Sequence, residues 1–383
     1  MNVGVLGTAT SEFGELWSVS PRQLVKQVVT EALSKSHLTI ERIDALYVGN
    51  MLSGILGNQE NVGALFAEEL GLTCPAFKIE GACASGGLAF YNAAVAVRSG
   101  VFKTVLAVGV EKMTDHKPEA VAWGLMGAGS DEERFAGATF PGLYALLARA
   151  HMESFGTTEE EMAAVSVKNH YHASLNGKAH FRNRISIEQV LKSPKIAEPL
   201  KLLDCSPISD GAACAVIACD EVIKKVGGSP VWIRGAAVAT DSLGLSGRKS
   251  LVSLSAAVTA AEKAYAQAGI GAGDIDVAEV HDCFSIAEII AMEDLGFYMP
   301  GKAARAIFDG KTTLGKGELT VNTSGGLKAS GHPVGATGIK QIVEIAAQLR
   351  GEAGDKQVEK AKLGLTHNVG GSGAVAVIHV FSQ

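Results

Sequence analysis

The apolar positions of the chain fall into two alternating rhythms. Residues 2–6 form a short apolar run of the kind that fills a buried strand. Leu24, Val25, Val28, Val29, Ala32 and Leu33 then recur at helical spacing. Ser20-Pro21-Arg22-Gln23 opens that helix, with a serine to cap it, a proline in the first helical position and a glutamine set for a capping box. Residues 43–48 read as a strand, and so do residues 76–80. After the latter, Leu88, Tyr91, Ala94, Val95 and Arg98 mark a helix that Gly100 ends. A helix over 256–268, a strand over 274–280 and a helix over 339–349 continue the rhythm. The alternation predicts an α/β protein.

Two echoes suggest an internal repeat. ERIDALYVGN (41–50) and GDIDVAEVHD (273–282) share Ile-Asp and a valine at matching places, each after a helical pattern. Cys83-Ala84-Ser85-Gly86 is answered by Lys328-Ala329-Ser330-Gly331. Between the echoes, residues 116–203 are irregular and richer in charge and histidine, with helical pieces at 143–153 and 159–169. Long insertions of this kind are usually functional. The chain therefore divides into a first half (1–115 with 204–235), an inserted lid or loop domain (116–203) and a second half (236–383). The strand at 210–220, DGAACAVIACD, returns to the first half.

Composition narrows the field. The 383 residues are 47% hydrophobic and carry a net charge of -6, which argues against general nucleic-acid binding. The N-terminal MNVGVLGTATSEFGELW lacks the basic start and apolar run of a signal peptide, and no apolar stretch is long enough to span a membrane. The six cysteines include no CxxC pair. In a chain of this size they are expected to be free thiols in a reducing, cytoplasmic compartment, which admits a catalytic thiol.

Four segments could carry chemistry. Cys83 lies where a strand turns into a helix, beside Ala84, Ser85, Gly86 and Gly87. Unpaired N–H groups at a helix start would lower its pKa and favour the thiolate; the alternative is a small buried hydrophobe. EVHDCFS puts His281, Asp282 and Cys283 at a strand end, as a cleft cluster or a polar turn around a core cysteine. NTSGGLKASGHPVGATG (322–338) carries His332 before a proline, an aimed base or part of a surface loop. LTHNVGGSGAVAV (365–377) reads as strand, glycine turn, strand, a place for backbone N–H groups to face a ligand. There, His367 is a ligand or a core histidine.

In this order the four segments resemble the thiolase superfamily over almost the whole chain. ACASG resembles the nucleophile motif, EVHDCFS the HDCF block of sterol-carrier-protein-type and archaeal thiolases, and GGLKASGHPVGATG the GHP block. The resemblance implies a thiolase-like five-layered αβαβα fold of two pseudo-symmetric halves, with the insertion covering the coenzyme A site. It implies an acetyl-CoA acetyltransferase of the archaeal, HDCF-bearing branch, joining two acetyl-CoA into acetoacetyl-CoA or running the reverse cleavage. Cys83 would hold the acyl group, and His332 would take its proton. His281 would share the enolate oxyanion site with His332, and Cys283 would move the α-proton. The N–H of Cys83 and one from Gly370 or Gly371 would cradle the other oxyanion. Asn322, His367 and Asn368 would be supporting residues, the last two without an assigned role.

For coenzyme A the basic candidates in the insertion are Arg182, Arg184 and Lys195, which are otherwise solvated charges. Met126, Met152 and Phe140 are candidates for the acyl pocket. No cofactor or metal is implied beyond coenzyme A thioesters as substrates. The implied assembly is a homodimer or homotetramer. Archaeal relatives also work with a small zinc-containing OB-fold protein and hydroxymethylglutaryl-CoA synthase. Other condensing enzymes, the ketoacyl and hydroxymethylglutaryl-CoA synthases, share the fold and nucleophile but lack a second cysteine, so Cys283 is the discriminating residue. Thiolase-like aldolases and scaffolds with such a zinc partner are the other alternative, and the aldolases generally lack the nucleophilic thiol.

Overall fold

A computed structural model of the chain describes residues 2–317 and 319–383. Its strands are β1 (Val3–Thr10), β2 (Ala45–Gly49), β3 (Ala76–Ile79), β4 (Thr104–Glu111), β5 (Lys195–Ala197), β6 (Leu200–Lys201), β7 (Gly211–Cys219), β8 (Val231–Thr240), β9 (Val277–Glu279), β10 (Thr320–Val321), β11 (Leu363–Gly370) and β12 (Val375–Ser382). β5 and β6 form a separate ribbon, and the other ten join in the order β10-β9-β11-β12-β8-β1-β7-β4-β2-β3. From the middle outward, one wing reads β1-β7-β4-β2-β3 and the other β8-β12-β11-β9-β10. Both place their successive strands in the same spatial order. The pairing senses match as well: β2–β3, β2–β4, β9–β10 and β9–β11 are parallel, whereas β1–β7, β4–β7, β8–β12 and β11–β12 are antiparallel. Among the described residues, strands of the two wings pair only where Gly4 meets Trp232 and Val5 meets Val231.

The helix Ser85–Arg98 follows β3, and Val334–Arg350 occupies the equivalent place after β10. These two helices pack on each other and on strands of both wings. Val334–Arg350 is buried on nearly every face, as a helix in a middle layer must be. Pro21–Ser36 covers β1 and β7 from outside, and Ser255–Ala268 covers β8 and β12. Helix, sheet, helices, sheet, helix make the five layers expected. The capping box at Ser20 and Gln23 is formed. β8 spans the division drawn at 236, and its antiparallel register with β12 makes it the opening strand of the second wing.

The echo of CASG in KASG has no structural counterpart. Ser85 begins a long helix, whereas Ser330 ends the short helix Gly326–Ser330 before Gly331 turns at φ 103°. The insertion supplies the helices Phe140–Phe155 and Glu159–Ala173. The second packs on Ser285–Asp294 and Gly326–Ser330, so the inserted region is seated on the segments that carry Cys283 and His332.

Candidate active site

The strand β3 ends in a 3-10 turn, Ala82–Ala84, that delivers Cys83 to the start of the helix Ser85–Arg98. The turn is strained: Ala82 sits at φ 54°, a left-handed conformation that costs about 1–2 kcal/mol for an L-residue with a side chain. Local hydrogen bonds hold it there. The Ala82 N–H donates to Glu80 Oε1 at 2.6 Å, the Gly81 N–H donates to Ser85 Oγ at 3.0 Å, and Ser85 Oγ donates to the Ala82 carbonyl at 2.6 Å. The thiolate expected from the helix start is overturned. Burial pushes the Cys83 thiol up to about 12, outweighing the N–H that Gly371 donates to its sulfur. Cys83 therefore rests as a thiol and needs a base.

That base stands beside it. Thr337 Oγ1 donates to the Pro333 carbonyl at 3.0 Å, so it must accept from His332 Nδ1–H at 2.7 Å. This fixes the tautomer with the proton on Nδ1 and leaves Nε2, buried and without a protein partner, as a free lone pair. Burial lowers the His332 pKa to about 3, which keeps the ring neutral at rest.

His281 is set in the opposite sense by Asn368. The Asn368 carbonyl Oδ1 accepts the Gly87 N–H at 3.1 Å, and its Nδ2 donates to the Cys83 carbonyl at 3.1 Å and to His281 Nδ1 at 3.3 Å. With Nδ1 accepting, His281 carries its proton on Nε2, which also lacks a protein partner. Burial, then the neighbouring His332 and His367, hold His281 well below the ordinary histidine range. The two rings meet edge to face at 5.1 Å, and Cys83 Sγ with one nitrogen from each lies within 4.8 Å of one another. A thiophilic cation held there would compete for the lone pairs that acylation uses. His367 stands next to His281: its Nδ1 accepts the His281 backbone N–H at 3.4 Å, its Nε2 is buried without a protein partner, and burial lowers its pKa to about 3.

Cys83 and Cys283, one from each half, line one cavity of about 200 Å³ with His332 and Gly371. Burial raises the Cys283 thiol well above the ordinary range, against a hydrogen bond from Tyr144 that lowers it; Cys83 and Asp282 add further upward pushes. Of the two glycines, Gly371 presents its N–H to Cys83, whereas Gly370 closes β11 and packs on the Gly81 carbonyl. Phe140 lines the cavity as expected. Met126 is a buried residue of the hydrophobic core and Met152 packs against it; neither is among the cavity residues. Arg182, Arg184 and Lys195 are exposed and lie off the cavity, facing the Gly177 carbonyl, the Tyr171 ring and Glu198 respectively.

A fully buried polar frame holds the loops in place. Asn322 Oδ1 accepts the Val280 N–H at 2.8 Å, and its Nδ2 donates to Glu288 Oε2 at 2.8 Å. Asp282 accepts the N–H groups of Leu327 at 2.6 Å and Lys328 at 3.2 Å, and Asn169 Nδ2 bridges Asp282 to Glu288. Burial and the neighbouring Glu288 raise the Asp282 carboxyl. Asp282 thus clamps the helix before His332 to the strand end carrying His281 and Cys283. Reading the sequence alone singled out Asp282 in the cluster with His281 and Cys283 but not its part in this frame, and missed Asn169 in the frame and Tyr144 in the cavity. The HDC triplet was a signal for the first; the other two sit inside ordinary helical patterns.

The layered duplicated fold and this two-thiol, two-histidine centre define a class, and the family models agree: the thiolase N-terminal domain matches residues 3–221 and the thiolase C-terminal domain-like model residues 237–383. The chain belongs to the thiolase family. It is 46% identical to an acetyl-CoA acetyltransferase of Methanothermobacter thermautotrophicus over 385 aligned residues, covering 100% of both chains. It is 32% identical to human sterol carrier protein 2, covering 98% of this chain and 71% of that one. Among solved structures, the Ltp2-ChsH2(DUF35) aldolase shares the fold with a TM-score of 0.84 at 24% identity, covering 100% of this chain and 97% of that one.

Proposed function

We propose that the chain is an acetyl-CoA C-acetyltransferase that condenses two acetyl-CoA into acetoacetyl-CoA and free coenzyme A, or runs the reverse thiolysis. The observation that carries this reading is the placement of two thiols from opposite halves in one cavity beside an imidazole with a free lone pair. Cys83 attacks the thioester carbonyl while His332 Nε2 takes its proton. The N–H groups of Cys83 and Gly371 hold the developing oxyanion, each worth about 3 kcal/mol in the transition state. The departing coenzyme A thiolate takes the proton of Cys283. The Cys283 thiolate then removes an α-proton from the second acetyl-CoA, and His281 Nε2–H with protonated His332 holds the enolate oxygen. The enolate attacks acetyl-Cys83, and the expelled Cys83 thiolate recovers its proton from His332. One coenzyme A leaves, and both thiols end protonated.

Mass spectrometry after exposure to acetyl-CoA tests the assignment. The expected result is one acetyl group on the Cys83 peptide, absent in Cys83→Ala and present in Cys283→Ala, with condensation lost in both. An acetyl group on another residue, or condensation surviving in Cys283→Ala, overturns it. The free thiols support a cytoplasmic setting, and no helix among the described residues is long and apolar enough to cross a membrane.

The likeness to the Ltp2-ChsH2(DUF35) aldolase supports a second reading at the level of assembly, in which the chain, itself a homodimer or homotetramer, works with a small zinc-containing OB-fold protein. The retained Cys83 keeps the chemistry thiolytic in that complex. Coenzyme A binding by the purified chain, measured with and without such a co-purifying protein, separates the two: full binding by the chain alone removes the need for a partner.

A further inference from the structure

The cavity wall contributed by the insertion contains two polar side chains the mechanism has not used: Thr139, which caps the helix Phe140–Phe155, and Tyr144. Tyr144, on the helix Phe140–Phe155, is 1% exposed and stacks on Phe284 at 4.6 Å with 29° between the rings. Its hydroxyl donates to the Gly371 carbonyl at 3.2 Å and lines the same cavity as the thiol of Cys283, near enough to pull that thiol's ionisation down. The N–H of the same residue, in the peptide group on the other side of its Cα, is presented to Cys83. One phenol thus lines the cavity with both sulfurs, beside one and a single residue away from the other.

A hydroxyl has one proton to give and two lone pairs to accept with. While Cys283 is a thiol, its S–H can donate to the Tyr144 oxygen, and the phenol proton is spent on the Gly371 carbonyl. Once Cys283 has given its proton to coenzyme A, the thiolate has the Phe284 N–H beside it and gains a second donor if the phenol turns toward it. Rotation about the C–O bond moves the phenol proton from the carbonyl to the sulfur, with no bond broken and no proton exchanged. Tyr144 lends a hydrogen bond and keeps its proton in this exchange, because burial holds its own ionisation well above the ordinary tyrosine range.

We propose that Tyr144 is a positioning residue for the condensation half-reaction: a two-position hydrogen-bond donor that turns from Gly371 to Cys283 when the acid/base thiol ionises. The inference rests on the assignment of Cys283 given above. It also gives the inserted region a part in proton transfer as well as in enclosing substrate.

Tyr144→Phe removes one oxygen and keeps the stacked ring. The expected result is acetylation of Cys83 within about threefold of the parent, with exchange of the acetyl-CoA methyl protons into D2O slowed by about tenfold or more, the size of a lost bond to a charged group. Loss of a donor to the thiolate raises the Cys283 pKa, so the ascending limb of the exchange-rate pH profile moves to higher pH. Incorporation of 3-fluorotyrosine at residue 144, a stronger donor in the same shape, moves that limb to lower pH. A side chain that only packs shifts neither limb. The proposal falls if Tyr144→Phe lowers acetylation and exchange equally, leaves both unchanged, or leaves the limb in place, or if the fluorinated protein shifts it upward. Cys283→Ala run in parallel separates the two layers. Exchange surviving there removes the Cys283 assignment itself, whereas exchange lost there but unaltered in Tyr144→Phe removes only the role of Tyr144.

Discussion

Asn368 does at the residue scale what no single interaction of the histidines could. Its amide is fixed in orientation because Oδ1 must accept from Gly87 N–H and Nδ2 must donate to the Cys83 carbonyl; the remaining N–H then dictates that His281 accepts on Nδ1 and donates from Nε2. A reversed amide would set two donors against each other and two acceptors against each other. Asn368→Asp keeps the acceptor for Gly87 but places a second oxygen against the Cys83 carbonyl and His281 Nδ1. The expected outcome is a fall of about 10²-fold or more in condensation kcat, the usual cost of losing an aimed oxyanion donor, with acetylation of Cys83 affected less. Separate measurement of the two half-reactions checks it. Equal loss in both would mean that Asn368 only supports the Cys83 turn. The sequence made Cys83, His281, Cys283 and His332 legible, because each sits in a motif whose small or polar neighbours make little sense in a core. It left Asn368 without a role, because a tautomer is set by a partner 87 residues away and no local pattern records that.

Two central helices carry the motifs toward each other, and their closeness is a property of whole elements. Ser85–Arg98 and Val334–Arg350 cross backbone to backbone. A Cβ on Gly86 would come within 2.7 Å of the Gly335 carbonyl oxygen, and one on Gly338 within 2.1 Å of the Gly87 nitrogen and 2.3 Å of Asn368 Oδ1. Any side chain at the crossing would drive apart the helices that follow Cys83 and His332. Gly338→Ala is therefore expected to destabilise the fold by about 1–3 kcal/mol. Because the intruding methyl also displaces the Asn368 amide, it should cost activity in the protein that remains folded. Urea unfolding midpoints and kcat per folded molecule check both halves of the statement, and an alanine variant with unchanged midpoint would show that the crossing has slack. The elements themselves were legible in their periodicity, down to the capping box at Ser20. Their order in space was not: β1 and β8 pair through only two residue couples, and nothing in either strand distinguishes a wing edge from a wing centre. The KASG echo shows the limit of short likeness, since helix register is set by where the chain can start a helix and not by four shared letters.

For the whole molecule, the histidines decide how the protein meets acid. His172, His281, His332, His367 and His379 are all buried, and burial is the leading cause that lowers each pKa, to about 3 for His172, His332, His367 and His379. A histidine of this kind stays neutral in the fold and takes up a proton in the unfolded chain once the pH drops below about 6.5. The unfolded state then binds more protons, so stability rises with pH, by up to about 1.4 kcal/mol per pH unit for each such histidine, between its folded and unfolded pKa values. Glu111 and Asp294 run the other way: burial raises their carboxyls to about 7, so between roughly pH 4 and 7 the fold binds the extra protons and part of the histidine penalty is offset. Asp282, raised as well, adds to that offset. Below roughly pH 4 the unfolded carboxyls are protonated too, the offset ends, and Asp210, Glu221 and Glu344, whose carboxyls the fold holds below the ordinary range, add to the histidine slope. Unfolding free energy measured in urea at a series of pH values should therefore fall gently from pH 7 and steeply below about pH 4. His379 offers a clean test, since its ring lies in the core against Phe90 and Phe381, outside the catalytic cavity, with Nε2 unpartnered. His379→Leu should remove one proton from the balance and flatten the slope between pH 6 and 3 by about 1.4 kcal/mol per unit, leaving acetylation of Cys83 intact. An unchanged slope in that variant would mean that His379 already takes up its proton in the folded state, and that burial alone does not hold these rings neutral.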